Sequence, residues 1–125
     1  MADKSQILIV EDDLDLSEML NAYFRVQGYD VLTAAWGKDA VKLSRENNPD
    51  LVVLDIRLPD IDGYEVAKRT RAALGADVHL IALTGYGQPE DRLHAQAAGF
   101  DRHIVKPVDP DQLRALLAHD AATVR

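Results

Sequence analysis

The stretch Leu51–Asp55 most constrains the fold of this chain, because it places four consecutive apolar residues directly before a carboxylate. Such a run, with two β-branched valines, is typical of a strand buried on both faces, as in a parallel sheet covered by helices. An ionisable side chain at its end costs free energy unless it is paired. Pro59 and Gly63 then break the chain into a loop that leaves the strand end open. Asp55 is therefore a candidate reactive group, although an aspartate that merely ends a strand is an ordinary alternative.

Four more segments are predicted to be strands, and helices are predicted between them. The predicted strands are Gln6–Val10, Asp30–Ala34, Leu51–Asp55, His79–Thr84 and Arg102–Val105. Between them, apolar residues recur at helical spacing. The four predicted intervening helices end near Gly28, Asn48, Gly75 and Gly99. The fourth helix is predicted over 89–98, and a fifth helix is predicted to begin at Pro110. Asp15 and Glu18 have the spacing of a capping box at the start of the first helix. Five such units predict one α/β domain of residues 1–125, a doubly wound parallel sheet.

The composition limits the classes of function. The chain has 125 residues, a formal net charge of −7 and no cysteine. A negative surface repels polyanions, which argues against direct binding to nucleic acid or to an anionic membrane. The lack of cysteine excludes a disulfide framework and cysteine-based zinc sites. No apolar segment approaches the length of a membrane span, and the first five residues contain no signal region, so we expect a cytoplasmic protein.

Functional side chains follow four of the five predicted strands. Glu11 and Asp12 follow the first strand, and Asp55 ends the third. Thr84 ends the fourth strand, and Lys106 follows the fifth. In an open parallel sheet the carboxyl ends of the strands lie at one edge, so these groups should converge there. Three carboxylates, a hydroxyl and an ammonium at one edge predict a site rather than unrelated strand ends.

The chemistry of such a cluster favours magnesium-dependent phosphoryl transfer. Neighbouring carboxylates repel one another unless a cation lies between them. Oxygen ligands without cysteine or clustered histidine favour Mg²⁺, with Mn²⁺ as an alternative. A divalent cation would let an anionic phosphoryl group approach Asp55, whose carboxylate could then attack phosphorus. The hydroxyl of Thr84 and the ammonium of Lys106 are suited to bind the remaining phosphoryl oxygens.

The ordered motifs resemble the receiver domain of bacterial two-component response regulators over essentially the whole chain. The motifs are Glu11-Asp12-Asp13, Asp55 with Leu58-Pro59 and Asp62-Gly63, Leu83-Thr84-Gly85, and Val105-Lys106-Pro107. The resemblance implies a flavodoxin-like (βα)5 fold with the strand order 2-1-3-4-5. It also implies a signalling domain rather than an enzyme, one that catalyses only its own phosphorylation and dephosphorylation.

By the same resemblance, Asp55 is the phosphoacceptor of the domain. Glu11 and Asp12 hold Mg²⁺ together with Asp55, and the backbone carbonyl of Arg57 completes the protein's share of the coordination. Thr84, through its hydroxyl, and Lys106, through its ammonium, take phosphate-sensing roles. Asp13 is expected at the start of the first helix, where a negative charge suits the helix dipole.

The resemblance implies partners as well. The phosphoryl donor would be the phosphohistidine of a sensor histidine kinase or of a histidine phosphotransfer protein. Phosphorylation would switch a protein-interaction surface formed by the fourth and fifth helices. The downstream target is an unidentified protein, and the mechanism is compatible with a phosphorylation-dependent homodimer. The run 99–108 resembles receivers that are attached to hybrid histidine kinases.

One departure from the family pattern and one competing enzyme family leave alternatives to be weighed. Receivers usually carry tyrosine or phenylalanine three residues before the lysine, where this chain has His103. This histidine either couples phosphorylation to pH or has no switching role, and a receiver-like binding module that no longer accepts phosphate is the corresponding alternative. A small Mg²⁺-dependent phosphohydrolase of the haloacid dehalogenase type needs a second aspartate two residues after the nucleophile. Arg57 stands there instead, which argues against that reading.

Overall fold

A computed structural model describes residues 5–85, 93 and 96–124, with side chains described as far as Leu117 in the last helix. The elements are β1 (Gln6–Val10), α1 (Leu14–Val26), β2 (Asp30–Ala34), α2 (Gly37–Asn47), β3 (Leu51–Asp55), α3 (Gly63–Leu74), β4 (His79–Thr84), β5 (Arg102–Val105) and a C-terminal helix (Pro110–Val124). All five predicted strands are confirmed with their predicted bounds. Of the helix predicted over 89–98, residues 93 and 96–98 are helical, and the others lie outside the described residues.

The five strands form one parallel sheet in the order β2-β1-β3-β4-β5. Strand β3 lies at the centre, where Leu54 pairs with Val10 of β1 and with Ala82 of β4. In the outermost strand pair, Thr84 of β4 pairs with Val105 of β5. The predicted flavodoxin-like order 2-1-3-4-5 is confirmed, and every strand presents its carboxyl end to the same edge.

Two apolar clusters fill the space between the sheet and the helices on its two faces. Alternate residues of the strands point to opposite faces, which divides the central strand between the clusters. On one face, Val52 and Leu54 lie in the same cluster as Val66 of α3. On the other face, Val53 lies with Phe24 of α1, and the C-terminal helix adds Leu113, Leu116 and Leu117. Burying each large apolar side chain contributes about 1.5–3 kcal/mol, so the sheet is a rigid platform for its edge.

Helix α1 begins differently from the sequence prediction. The capping box predicted for Asp15 and Glu18 is wrong, because the N-cap is Asp13, whose carboxylate accepts hydrogen bonds from Asp15 N–H at 3.0 Å and Leu16 N–H at 3.3 Å. Asp13 thus has the structural role expected for it at the start of the helix. It also ends the turn that follows β1, which fixes the direction in which the chain leaves the sheet.

The end of α3 is fastened to the strands by one guanidinium. Arg71 donates hydrogen bonds to Val78 O at 2.7 Å and Gly99 O at 2.6 Å, and pairs with Asp101 Oδ2 at 2.9 Å. Asp101 also accepts a hydrogen bond from Leu80 N–H at 2.8 Å. The planar donors of one arginine therefore join α3 to the beginnings of β4 and β5. In the part of the chain that the structure describes, no helix is long and apolar enough to cross a membrane.

Candidate functional site

Two neighbouring strands bring three carboxylates together at the carboxyl edge of the sheet. Val10 pairs with Leu54, so Glu11, which directly follows β1, and Asp55, the last residue of β3, lie side by side. Carboxylate oxygens of Glu11, Asp12 and Asp55 all lie within 4.8 Å of one another. Glu11 and Asp55 are buried, with 1 % and 4 % of their surface exposed, whereas Asp12 is exposed. The convergence expected from the strand order is present in the fold.

Lys106 lies between the two buried carboxylates. Its Nζ is 2.7 Å from Glu11 Oε1 and 3.0 Å from Asp55 Oδ2. The backbone fixes this placement, because Lys106 N–H donates to Thr84 O at 2.7 Å and so continues the pairing of β4 with β5. One ammonium therefore compensates two carboxylates in a region of low dielectric.

The ionisation of these groups reflects their burial. Burial raises the pKa of Glu11 to about 7, and the hydrogen bond and charge of Asp55 act in the same direction, whereas Lys106 acts to lower it. Burial acts to lower the pKa of Lys106, but the hydrogen bonds and charges of Glu11 and Asp55 outweigh it, and the pKa is raised. The ammonium is thus held in its charged form, while one buried carboxylate carries a proton readily.

The other oxygen of Asp55 contacts the loop that follows β3. Arg57 N–H donates to Asp55 Oδ1 at 2.9 Å, which brings the backbone of Arg57 beside the acid cluster. Thr84 is buried, with 8 % of its surface exposed, and it lies one position beyond Leu83, the partner of Asp55 in β4. All of the predicted site residues lie along this edge, and Glu11, Asp12, Asp55 and Lys106 form one cluster.

A glycine allows α3 to start directly against the end of β3. Gly63 N–H donates to Ile56 O at 2.9 Å. A Cβ at Gly63 would lie 2.5 Å from Ile56 Cα and 2.7 Å from Asp55 O, closer than any side chain can approach backbone atoms. The loop of residues 56–62 is therefore compressed onto the strand that carries the candidate nucleophile.

Asp60 is the residue of this region that sequence reasoning missed. Its carboxylate accepts hydrogen bonds from Gly37 N–H at 2.7 Å and Lys38 N–H at 3.1 Å, at the beginning of α2. Burial acts to raise the pKa of Asp60, but hydrogen bonds from these N–H groups and from Ile61 N–H outweigh it, and the pKa is lowered. A signal was present in the sequence, since the N-cap of α2 is Trp36, which has no side-chain acceptor to offer the helix.

Two other residues bear on the site: His103, which departs from the receiver pattern, and Trp36, the single tryptophan of the sequence. His103 is half-buried in β5, where it pairs with Ala82 of β4. Trp36 immediately precedes α2 and is 47 % exposed. Neither lies within the acid cluster described above.

The cluster is suited to a hard divalent cation. Three carboxylates whose oxygens approach one another require more positive charge than one lysine supplies, as the raised pKa of Glu11 indicates. The donors are oxygens without sulfur or imidazole, which fits Mg²⁺ or Mn²⁺ rather than zinc or copper. The exposed carboxylate of Asp12 leaves the site open to solvent, as a cation that keeps part of its hydration shell requires.

Comparisons with known proteins agree with this geometry. The chain is 38 % identical over 112 residues to the "Probable transcriptional regulator ycf27" of Porphyra purpurea, which covers 90 % of this chain and 45 % of that protein. The chain thus spans about half the length of the curated relatives it matches.

Two solved structures share the fold over nearly the whole chain. A CheY-like receiver domain protein of Methanospirillum hungatei has a TM-score of 0.90 at 27 % identity and covers 98 % of this chain and 97 % of its own. The receiver domain of the sensor histidine kinase PA1611 of Pseudomonas aeruginosa has a TM-score of 0.84 at 32 % identity, covers 94 % of this chain and 97 % of its own, and holds a magnesium ion in its active site cleft. The family described as response regulator receiver domain matches residues 7–118. The chain therefore belongs to the response regulator receiver domain family.

Proposed function

We propose that this chain, as one receiver domain over residues 1–125, is the phosphoacceptor of a two-component phosphorelay. The observation that carries the proposal is the buried carboxylate of Asp55, which lies beside two further acids and within 3.0 Å of Lys106 Nζ. The donor is the phosphohistidine of a sensor histidine kinase or of a histidine phosphotransfer protein. Membership of the receiver family supports this choice of donor.

In the transfer, an oxygen of Asp55 forms a bond to phosphorus while the bond between phosphorus and the donor's imidazole nitrogen breaks. The leaving nitrogen keeps the electron pair and takes up a proton. Asp55 is positioned for this step because β3 is rigid and because Arg57 N–H holds its Oδ1 at 2.9 Å. The product is an acyl phosphate on Asp55.

Glu11, Asp12, Asp55 and the backbone carbonyl of Arg57 are the proposed ligands of Mg²⁺, or of Mn²⁺ in its place. The bound cation would offset the negative charge of the acids and of the transferring group. The convergence of the three carboxylates within 4.8 Å supports the ligand set. The PA1611 receiver domain, which holds magnesium in its cleft, supports the identity of the ion.

Lys106 and Thr84 are the proposed contacts of the phosphoryl oxygens. Lys106 already lies between Glu11 and Asp55, so a small movement of its flexible side chain would bring the ammonium onto a phosphoryl oxygen. The hydroxyl of Thr84 would donate a hydrogen bond to another phosphoryl oxygen. Because Lys106 follows β5 and Thr84 ends β4, binding of the phosphoryl group would draw the two strand ends toward Asp55 and alter the surface beyond them.

The altered surface would recruit a downstream protein target or a second copy of the chain. The signal would end when the domain hydrolyses its own acyl phosphate, and by the family resemblance Arg57 and Tyr86 occupy sequence positions that tune the lifetime of the acyl phosphate. Tyr86 lies outside the described residues. We place this signalling in the cytoplasm.

A small phosphodonor such as acetyl phosphate tests the core of this proposal. With Mg²⁺, the wild-type chain should gain one phosphoryl group by mass spectrometry, and Asp55→Asn should gain none. Asp62→Asn is a matched control, because Asp62 caps α3 through Tyr64 N–H and contributes no proposed ligand. Equal modification of wild type and Asp55→Asn would refute the assignment.

A further inference from the structure

The loop between β3 and α3 is tied to α2, a helix that it does not adjoin in sequence. Both oxygens of Asp60 accept from the first turn of α2: Gly37 N–H donates to Oδ1 at 2.7 Å and Lys38 N–H donates to Oδ2 at 3.1 Å. The first N–H groups of a helix need acceptors outside the helix. Trp36, the N-cap residue, provides no side-chain hydrogen bond. Asp60 therefore supplies, from another part of the chain, the cap that α2 lacks locally.

Packing reinforces these hydrogen bonds. A Cβ at Gly37 would lie 2.8 Å from Val66 Cγ2, 3.1 Å from Ile61 Cβ and 3.3 Å from Asp60 Oδ1. The first turn of α2 thus lies directly against the loop and against α3, with no room for a side chain. The two elements can move apart only if both the packing and the cap are lost.

The other end of the same loop is fixed to the acid cluster. Arg57 N–H donates to Asp55 Oδ1 at 2.9 Å, and Gly63 N–H donates to Ile56 O at 2.9 Å. Asp60 lies three residues after Arg57, so the loop is held at the acid cluster on one side and at α2 on the other. A displacement of Asp60 would be transmitted to the Arg57 backbone through only a few covalent bonds.

We propose that Asp60 is a positioning residue of the cation site: by capping α2, it fixes the loop that presents the Arg57 carbonyl, and it couples the site to the first turn of α2. The inference rests on the proposed function only for the assignment of that carbonyl as a ligand. Asp60 acts here through the geometry of its two hydrogen bonds and not through its charge.

The chain carries its own reporter of this coupling. Trp36 is the single tryptophan of the sequence and immediately precedes Gly37, one of the two residues that Asp60 caps. We therefore expect Mg²⁺ to change the fluorescence of Trp36 in the wild-type chain. Asp60→Ala should abolish this change and weaken Mg²⁺ binding, measured by titration calorimetry, by about tenfold, as is usual when a residue supporting a metal ligand is removed.

Two variants separate positioning from charge and from general stability. Asp60→Asn keeps one acceptor oxygen and replaces the other with an NH2 group that cannot accept from the second N–H, so its Mg²⁺ affinity and Trp36 response should lie between those of the wild-type chain and of Asp60→Ala. The Asp50 carboxylate accepts a hydrogen bond from Gln6 N–H at 2.8 Å, at the opposite end of the strands. Asp50→Ala removes this hydrogen bond and serves as the control. It should leave Mg²⁺ binding unchanged. The proposal is overturned if Asp60→Ala binds Mg²⁺ as well as Asp50→Ala does, or if Asp60→Asn is as impaired as Asp60→Ala.

Phosphorylation by acetyl phosphate distinguishes the two proposals. If the wild-type chain binds Mg²⁺ but gains no phosphoryl group, the phosphoacceptor function fails and the result for Asp60 stands. If the wild-type chain is phosphorylated while Asp60→Ala keeps its Mg²⁺ affinity and Trp36 response, only the inference about Asp60 fails. Absence of Mg²⁺ binding by the wild-type chain would overturn both.

Discussion

At the scale of single residues, the site is an unequal balance of charge among Glu11, Asp55 and Lys106. Two buried carboxylates share one ammonium, and Glu11 has 1 % of its surface exposed to water. Burial without full compensation disfavours the charged form, which is the physical reason that the pKa of Glu11 rises to about 7. The raised pKa makes the metal-free site sensitive to pH in a physiological range.

The first prediction concerns the pH dependence of the free energy of unfolding. Between pH 4.5 and about 7, folded Glu11 retains a proton that the unfolded chain has lost, so folding takes up protons and stability falls as pH rises. The full shift corresponds to roughly 3 kcal/mol. Urea unfolding of the metal-free chain across this range should show the decline. Glu11→Gln should flatten the profile, and an unchanged decline in that variant would assign it to another group.

At the scale of elements, α1 presents apolar residues to solvent at both of its ends. Leu14 begins the helix directly after the acid turn of Asp12 and Asp13 and is 69 % exposed, while Val26 ends it and is 83 % exposed. Single exposed apolar residues are common, so exposure alone assigns neither to an interface. Only Leu14 adjoins the site that a phosphohistidine must approach, and this position favours it as a contact for the donor protein.

The second prediction uses the two ends of α1 as a matched pair. Leu14→Ser should slow phosphoryl transfer from a cognate phosphohistidine protein by about fivefold or more, the effect of losing a central apolar contact. The same variant should accept phosphoryl from acetyl phosphate at the wild-type rate. Val26→Ser should be normal with both donors. Equal slowing by both variants in single-turnover kinetics would show that α1 does not dock through its first turn.

At the scale of the whole molecule, the site exists only when the sheet is complete. Glu11, Asp55 and Lys106 are far apart in the chain and meet only because β1, β3 and the segment after β5 lie side by side at their carboxyl ends. A ligand that binds this cluster binds the folded state and not the unfolded chain. Metal binding is therefore linked to global stability.

The third prediction follows from that linkage. Mg²⁺ should raise the melting temperature in a concentration-dependent way, with a gain of about 2.7 kcal/mol when free Mg²⁺ is a hundred times its dissociation constant. Asp12→Ala should lose most of this gain in stability, because it removes a proposed Mg²⁺ ligand. The side chain of Asp12 is exposed, so its removal should not disturb the core. Asp77→Ala, at an exposed acid that precedes β4 and so lies at the opposite end of that strand from the cluster, should keep this gain. Equal stabilisation of both variants would argue against the proposed ligand set.

The sequence predicted the sheet closely because each strand carries its own signal. Within β1, residues 7–10 form a continuous apolar segment that acids follow directly, and within β4, residues 80–83 form a similar segment that is followed by the hydroxyl of Thr84. The central position of β3 follows from its burial over its whole length. The beginning of α1 was predicted wrongly, because Asp13 and Asp15 both suit an N-cap and only the direction of the chain after β1 selects Asp13.

The sequence by itself determined the alternation of strands and helices, the chemical groups at the strand ends and their common edge, since apolar periodicity and residue type are local properties. Only the tertiary structure decided that Lys106 lies between Glu11 and Asp55, and that Asp60 caps α2 across 23 residues. Both are contacts between separate parts of the chain. They depend on the pairing of strands and on the close approach that Gly37 and Gly63 permit, and no local pattern encodes such distances.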